Sequence, residues 1–178
     1  RLSVLMDSYI FNDDIAGRLF AEALMERARA GVPVYLTVDC VGTISVPRGI
    51  FDEMRGAGVS ILEYRPVTPW HRGWGLLRRN HRKLLVVDGR VGFAGGINIG
   101  DAWLPRSLGG LGWHDIHIRV EGPAVRQLSS LSIATWRKHT GVRLDPRAFT
   151  PDVTAVGSIA VSVVDSRVRK HRKSIRQA

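Results

Sequence analysis

The chain has 178 residues, 44% apolar and 24% charged, with 26 Lys and Arg against 16 Asp and Glu for a formal charge of +10. That supports one α/β domain with a core of its own, and no run of 18 or more apolar residues is present to form a membrane-spanning helix. The single Cys40 excludes an internal disulfide and fits no metal-ligand spacing, so it is expected to be a small buried hydrophobe.

The positive charge implies attraction to polyanions, either an anionic bilayer or nucleic acid, without choosing between them. No secretory signal is visible, and the opening at Arg1 without an initiator Met suggests a longer polypeptide.

Residues 2–10 read as a buried strand that ends at Asn12-Asp13-Asp14, where an aspartate can cap the next helix. That helix, over about 15–30, places Ile15, Leu19, Ala23 and Leu24 on its apolar face and stops at Gly31. Residues 32–38 make a second strand, so a βαβ unit with parallel strands is expected. A helix over about 47–57, with Pro47 in its first turn and Gly58 beyond it, leads to a third strand at 59–64. The connection 64–80 carries two Pro, two Gly, two Trp and five basic side chains with His71 counted. A loop of that length delivering the chain into His81 reads as the rim of a site.

The densest chemistry follows. Residues 84–87 form an apolar strand, Asp88-Gly89-Arg90 a turn, and 91–94 the return strand of a hairpin. His81 and Lys83 stand two apart, hence on one face of a strand, so an imidazole and an ammonium converge. Only four of the cations are Lys, at 83, 138, 170 and 173, which makes a Lys here hard to dismiss as incidental. Gly95 and Gly96 let the backbone approach whatever is bound, and Asn98 offers an amide to an oxyanion. Such a set handles phosphate and contains a nucleophile.

Beyond it, 99–112 is a Gly-rich connection. Residues 113–120 read as a strand with Asp115, His117 and Arg119 on one face and Ile116, Ile118 and Val120 on the other. A helix over 124–138 turns Val125, Leu128, Leu131 and Trp136 to the core. Residues 146–154 read as a linker, 159–164 as a last strand and 166–177 as a basic segment. His71, His114 and His117 match no metal pattern and are expected at the surface or rim. Trp70, Trp74 and Trp103 suit insertion at a lipid interface, stacking on bases, or packing within their loops.

His81-x-Lys83 with Asp88, then six residues, then Gly95-Gly96-x-Asn98, resembles the HKD motif of the phospholipase D superfamily, with Gly96 where many members have Ser. Tyr9-Ile10-Phe11-Asn12-Asp13-Asp14, Ala30-Gly31-Val32, Arg79-Asn80-His81-Arg82-Lys83, Trp113-His114-Asp115 and Glu121-Gly122-Pro123 are similar to the first half of bacterial cardiolipin synthases. The resemblance implies a phospholipase D-like α/β/α sandwich around a mixed sheet. Residues 1–165 would be one HKD half and 166–178 the start of a second.

It further implies a phosphohistidine on His81, catalytic parts for Lys83, Asp88 and Asn98, and substrate contacts from Gly95, Gly96, Arg79 and Asn80. Asp115 would accept a hydrogen bond from the far imidazole nitrogen, a strand-edge charge being the alternative. Asp88, a four-residue strand beyond Lys83, is equally placed to brace the turn. No cofactor and no metal is expected. The implied partners are a phospholipid substrate (phosphatidylglycerol), an anionic membrane surface in a peripheral bacterial location, and a second HKD half in cis or a homodimer partner; nucleic acid ranks behind them. The implied activity is phosphatidyl transfer between phosphatidylglycerols. A homodimeric phosphodiesterase or nuclease, and an inactive half that only binds anionic membrane or nucleic acid, are the alternatives.

Overall fold

The first strand, β1 (Val4–Ser8), is buried at every residue, which requires cover on both faces and a neighbour on each side. The computed structural model, which describes residues 2–66 and 79–165, supplies both. β1 pairs in parallel with β2 (Val34–Asp39), which pairs in parallel with β3 (Ser60–Tyr64). On its other side β1 pairs antiparallel with β4 (Leu84–Val87), followed by β5 (Val91–Gly95) and β6 (His117–Glu121), both antiparallel. The result is one mixed sheet in the order β3-β2-β1-β4-β5-β6. The hairpin of β4 and β5 turns through positive φ at both Asp88 and Gly89, as an Asp-Gly turn favours.

Alternate residues of β1 feed two cores. Val4 and Met6, with Leu36 and Val38 of β2, pack under α1 (Ile15–Arg29) and α2 (Gly49–Gly56) through Leu24, Met25, Ile50 and Met54. Leu5, with Leu84, Val86 and Val120, packs on the opposite face under α3 (Ala124–Thr140) and α4 (Pro146–Phe149) through Val125, Leu128, Trp136 and Phe149. A Cβ at Gly92 would lie 2.7 Å from Leu128, so α3 approaches β5 as closely as a glycine permits. The α/β/α sandwich around a mixed sheet is therefore present.

Five expectations need correction. The buried face of α1 runs through Ala16, Gly17, Ala21, Leu24 and Met25, whereas Ile15 and Leu19 are exposed. The cause is local: a Cβ at Gly17 would overlap the Asn12 carbonyl, so the helix start is turned to place that glycine inward. Residues 146–154 contain α4, capped by Asp145 on Arg147 N at 3.0 Å, whose Ala148 and Phe149 join the second core. Residues 159–164 pair with neither sheet edge, and Ile159, Val161 and Val164 stand exposed. On β6 only Val120 is buried, because α3 ends its cover there and Ile116 precedes the strand. Leu131 is only half-buried on α3. The rim connection with His71, Trp70 and Trp74, and the basic segment 166–178, lie outside the described residues. No helix among the described residues is long and apolar enough to cross a membrane.

Candidate active site

The sheet register puts the end of β1, the start of β4, the end of β5 and the start of β6 side by side: Asp7 faces Leu84, Leu84 faces Ala94, and Ala94 faces Ile118. Into this row the segment 79–83 delivers His81 and Lys83. Both precede β4 instead of lying on it, yet the side chains still alternate. Arg82 turns to the α3 side, where Nη1 donates to Asp7 Oδ2 at 3.3 Å, Leu131 O at 3.2 Å and Thr135 Oγ1 at 3.1 Å. His81 and Lys83 share the other side, Lys83 Nζ being 3.0 Å from His81 Nδ1 and donating to His81 O at 2.9 Å. Tyr9 closes the cluster, its ring 4.5 Å from the imidazole and 5.2 Å from Lys83 Nζ.

Burial pushes the Lys83 ammonium down to about 8, and the Asp115 carboxylate works against that fall. His81 lies below the usual 6.5, first through burial and then through the Lys83 charge, with Asp39 opposing. A neutral imidazole thus sits beside a cation at neutral pH. That pairing is what a nucleophilic histidine needs next to a phosphate.

Two buried carboxylates hold the segment in place. Asp39 Oδ2 accepts from Asn80 N at 2.8 Å, and its Oδ1 is 3.5 Å from Arg79 Nη1. Asp7 Oδ2 accepts from Asn80 Nδ2 at 3.3 Å as well as from Arg82. Neither aspartate has appreciable exposure, and burial raises the Asp7 pKa against the pull of Arg82, Asn80, Ser132 and Thr37. Arg79 and Asn80, expected to touch substrate, are therefore turned inward, Arg79 Nη1 also donating to Arg65 O at 3.0 Å. Sequence reasoning missed Asp7, Asp39 and the role of Tyr9. The only available signal was an acid at the end of each of two apolar strands, where a plain hydrophobic run predicts none.

The glycines are required, though for a different neighbour than expected. A Cβ at Gly95 would overlap Ile116 O, and one at Gly96 would overlap the Asp115 carboxylate. The space belongs to the entry of β6 and not to a bound ligand. Asp115 Oδ1 accepts from Ile116 N at 2.7 Å, and it is Lys83 that occupies His81 Nδ1. The expected Asp115–His81 contact is thus replaced by an electrostatic one with Lys83 and with half-buried His117. Asn98 is buried, its Oδ1 accepting from Ile10 N at 3.1 Å, which leaves Nδ2 as its donor. Asp88 lies at the far end of β4 and braces the turn: its Oδ1 accepts from Ser3 N at 2.8 Å and its own N donates to Ser3 O at 2.8 Å. It is too remote for a catalytic part.

Trp103 packs edge-on against Trp113 at 5.4 Å, and exposed His114 sits on the rim beside them. Cys40 is half-buried, and burial together with Glu63 and Asp39 pushes its thiol up to about 11. Among the described residues no group of three or more His, Cys, Asp or Glu is placed to hold a metal ion.

The mixed sheet is covered on both faces, and the histidine-lysine pair stands at the row of strand ends just before the interior strand β4. The chain superposes on Nuc of Salmonella typhimurium, a phospholipase D family member, with a TM-score of 0.51 and 18% identity over 80% of this chain and 82% of that one. NucT from Helicobacter pylori gives a TM-score of 0.53 at 13% identity over 78% and 79%. No protein-family model matches. The fold is thus shared with a phospholipase D family member. In sequence, the chain is 38% identical over 147 residues to the cardiolipin synthase of Geobacillus kaustophilus and 36% over 134 residues to cardiolipin synthase A of Pseudomonas fluorescens. These alignments cover 83% and 75% of this chain, which spans 28% of each relative's length.

Proposed function

We propose that the chain is the first of two HKD halves of an enzyme that transfers a phosphatidyl group between two phosphatidylglycerol molecules, giving cardiolipin and glycerol. The observation that carries this reading is the buried Lys83 ammonium 3.0 Å from the His81 ring on a segment held by two buried carboxylates. His81 Nε2 attacks phosphorus, the bond to the glycerol oxygen breaks, and an acid from the second half gives that oxygen its proton. The hydroxyl of a second phosphatidylglycerol then attacks the phosphohistidine and gives its proton to the now-deprotonated group of the second half; the P–N bond breaks, the phosphatidyl group passes to that lipid and the imidazole is freed.

An attacking Nε2 requires the ring proton on Nδ1. Substrate phosphate draws the Lys83 ammonium off Nδ1 onto its non-bridging oxygens, the ring proton moves from Nε2 to Nδ1, and Asp115 accepts a hydrogen bond from it there. Asn98 Nδ2 supplies a further donor. Asp7 and Asp39 keep the 79–82 backbone fixed while this exchange occurs. The relationship to cardiolipin synthases supports the lipid substrate and the acceptor.

Incubation of the full two-half protein with phosphatidylglycerol in EDTA tests the reading. Cardiolipin and glycerol in equal amounts are expected, lost in His81→Asn. Phosphatidic acid without cardiolipin would make water the acceptor, and turnover restored only by a divalent ion would remove the mechanism.

A further inference from the structure

Four large apolar side chains stand in the open along residues 108–116, which include Asp115: Leu108 is 60% exposed, Leu111 59%, Trp113 59% and Ile116 78%. The segment that carries them is built firmly. Leu111 N donates to Asp101 O at 2.9 Å, Gly112 N to Leu104 O at 3.0 Å and Trp113 N to Ala102 O at 2.8 Å. A Cβ at Gly110 would overlap Leu104 O, so the fold of the loop depends on that glycine. The Asp101 carboxylate is turned inward onto Ala16 N at 2.8 Å, and no acidic residue occurs between Ala102 and His114. Arg106 is exposed, and with Trp103, Trp113 and His114 it lines a cavity of about 460 Å³.

We propose that this loop seats the protein on an anionic bilayer. Leu108, Leu111, Trp113 and Ile116 enter the boundary between headgroups and acyl chains, and Arg106 meets lipid phosphates. The assignment rests on the phospholipid substrate proposed above. Charge argues for a bilayer over a protein surface: a formal +10 chain presents a loop with a cation and no acid. Side chains more than half exposed project from the surface, and a tryptophan pair with an arginine beside it matches the interfacial layer of a membrane. Only His114 separates Trp113 from Asp115, whose carboxylate acts on the Lys83 charge, so seating the loop brings the His81–Lys83 cluster to headgroup level.

Leu111→Cys carrying a nitrobenzoxadiazole label, in a Cys40→Ser background, reads insertion of this loop whatever else holds the protein to a membrane. Glu22→Cys on the exposed side of α1 is the control. With vesicles of phosphatidylglycerol and phosphatidylcholine, a blue shift and at least a twofold rise in emission are expected at 111 and not at 22. Arg106→Glu should weaken the signal severalfold, and a label at Leu108→Cys should repeat it. No change at 111 and 108, or equal changes at 22, would overturn the proposal. A shift that appears without lipid and grows with protein concentration would overturn it in favour of a second copy of the chain. None of these readouts uses turnover. A protein that inserts but makes no cardiolipin loses the proposed reaction and keeps this surface.

Discussion

Lys83 Nζ and His81 Nδ1 are 3.0 Å apart, and each changes what the other does with a proton. His81 is shifted down, so its neutral, nucleophilic form is already dominant below the usual 6.5; Lys83 is shifted down to about 8, so its charge is lost above that pH. The pH profile of kcat/KM should therefore rise below 6.5 and fall near 8. Asp115→Asn removes the carboxylate that supports the Lys83 charge and should move the alkaline limb to lower pH, whereas an unmoved limb would separate Asp115 from Lys83. His81→Asn should lower turnover by more than about a thousandfold while the chain still unfolds cooperatively in urea. Activity within about tenfold of wild type would dismiss His81 as the nucleophile.

At the scale of the element, the segment 79–83 has no strand or helix of its own and depends on the buried acids at the ends of β1 and β2. Asp39→Asn weakens two charge-assisted contacts and should lower the unfolding free energy by about 2–3 kcal/mol in a urea titration. Because Asp39 acts through the backbone of Asn80, kcat should fall at least tenfold with KM nearly unchanged; a rise in KM alone would assign Arg79 or Asn80 to substrate. The six strands of the sheet, the hairpin and the HKD spacing were legible because apolar runs, Asp-Gly and period-two alternation are local signals, whereas the apolar run at 159–164 gave a strand that does not form. Arg79 and Asn80 misled for the opposite reason. Their partners, Asp7 and Asp39, are brought beneath them only by the sheet. The face of α1 was misread because Gly17, and not the most apolar stripe, decides which side packs, and α4 is too short to announce itself by periodicity.

For the whole molecule, one HKD motif supplies one imidazole, yet in-line displacement needs a nucleophile on one side of phosphorus and an acid on the other. The 178-residue chain alone should sediment as a monomer and show no turnover of a chromogenic phosphodiester. A stable dimer with turnover would favour a two-fold phosphodiesterase. The most direct test is to trap the covalent intermediate. The full two-half protein is mixed with phosphatidylglycerol labelled at phosphorus, quenched in alkaline detergent within one turnover and digested. An acid-labile, base-stable label is expected on the peptide that contains His81, absent from His81→Asn. Product formation with no labelled peptide, or with the label on any other residue of this chain, would contradict a phosphohistidine at His81.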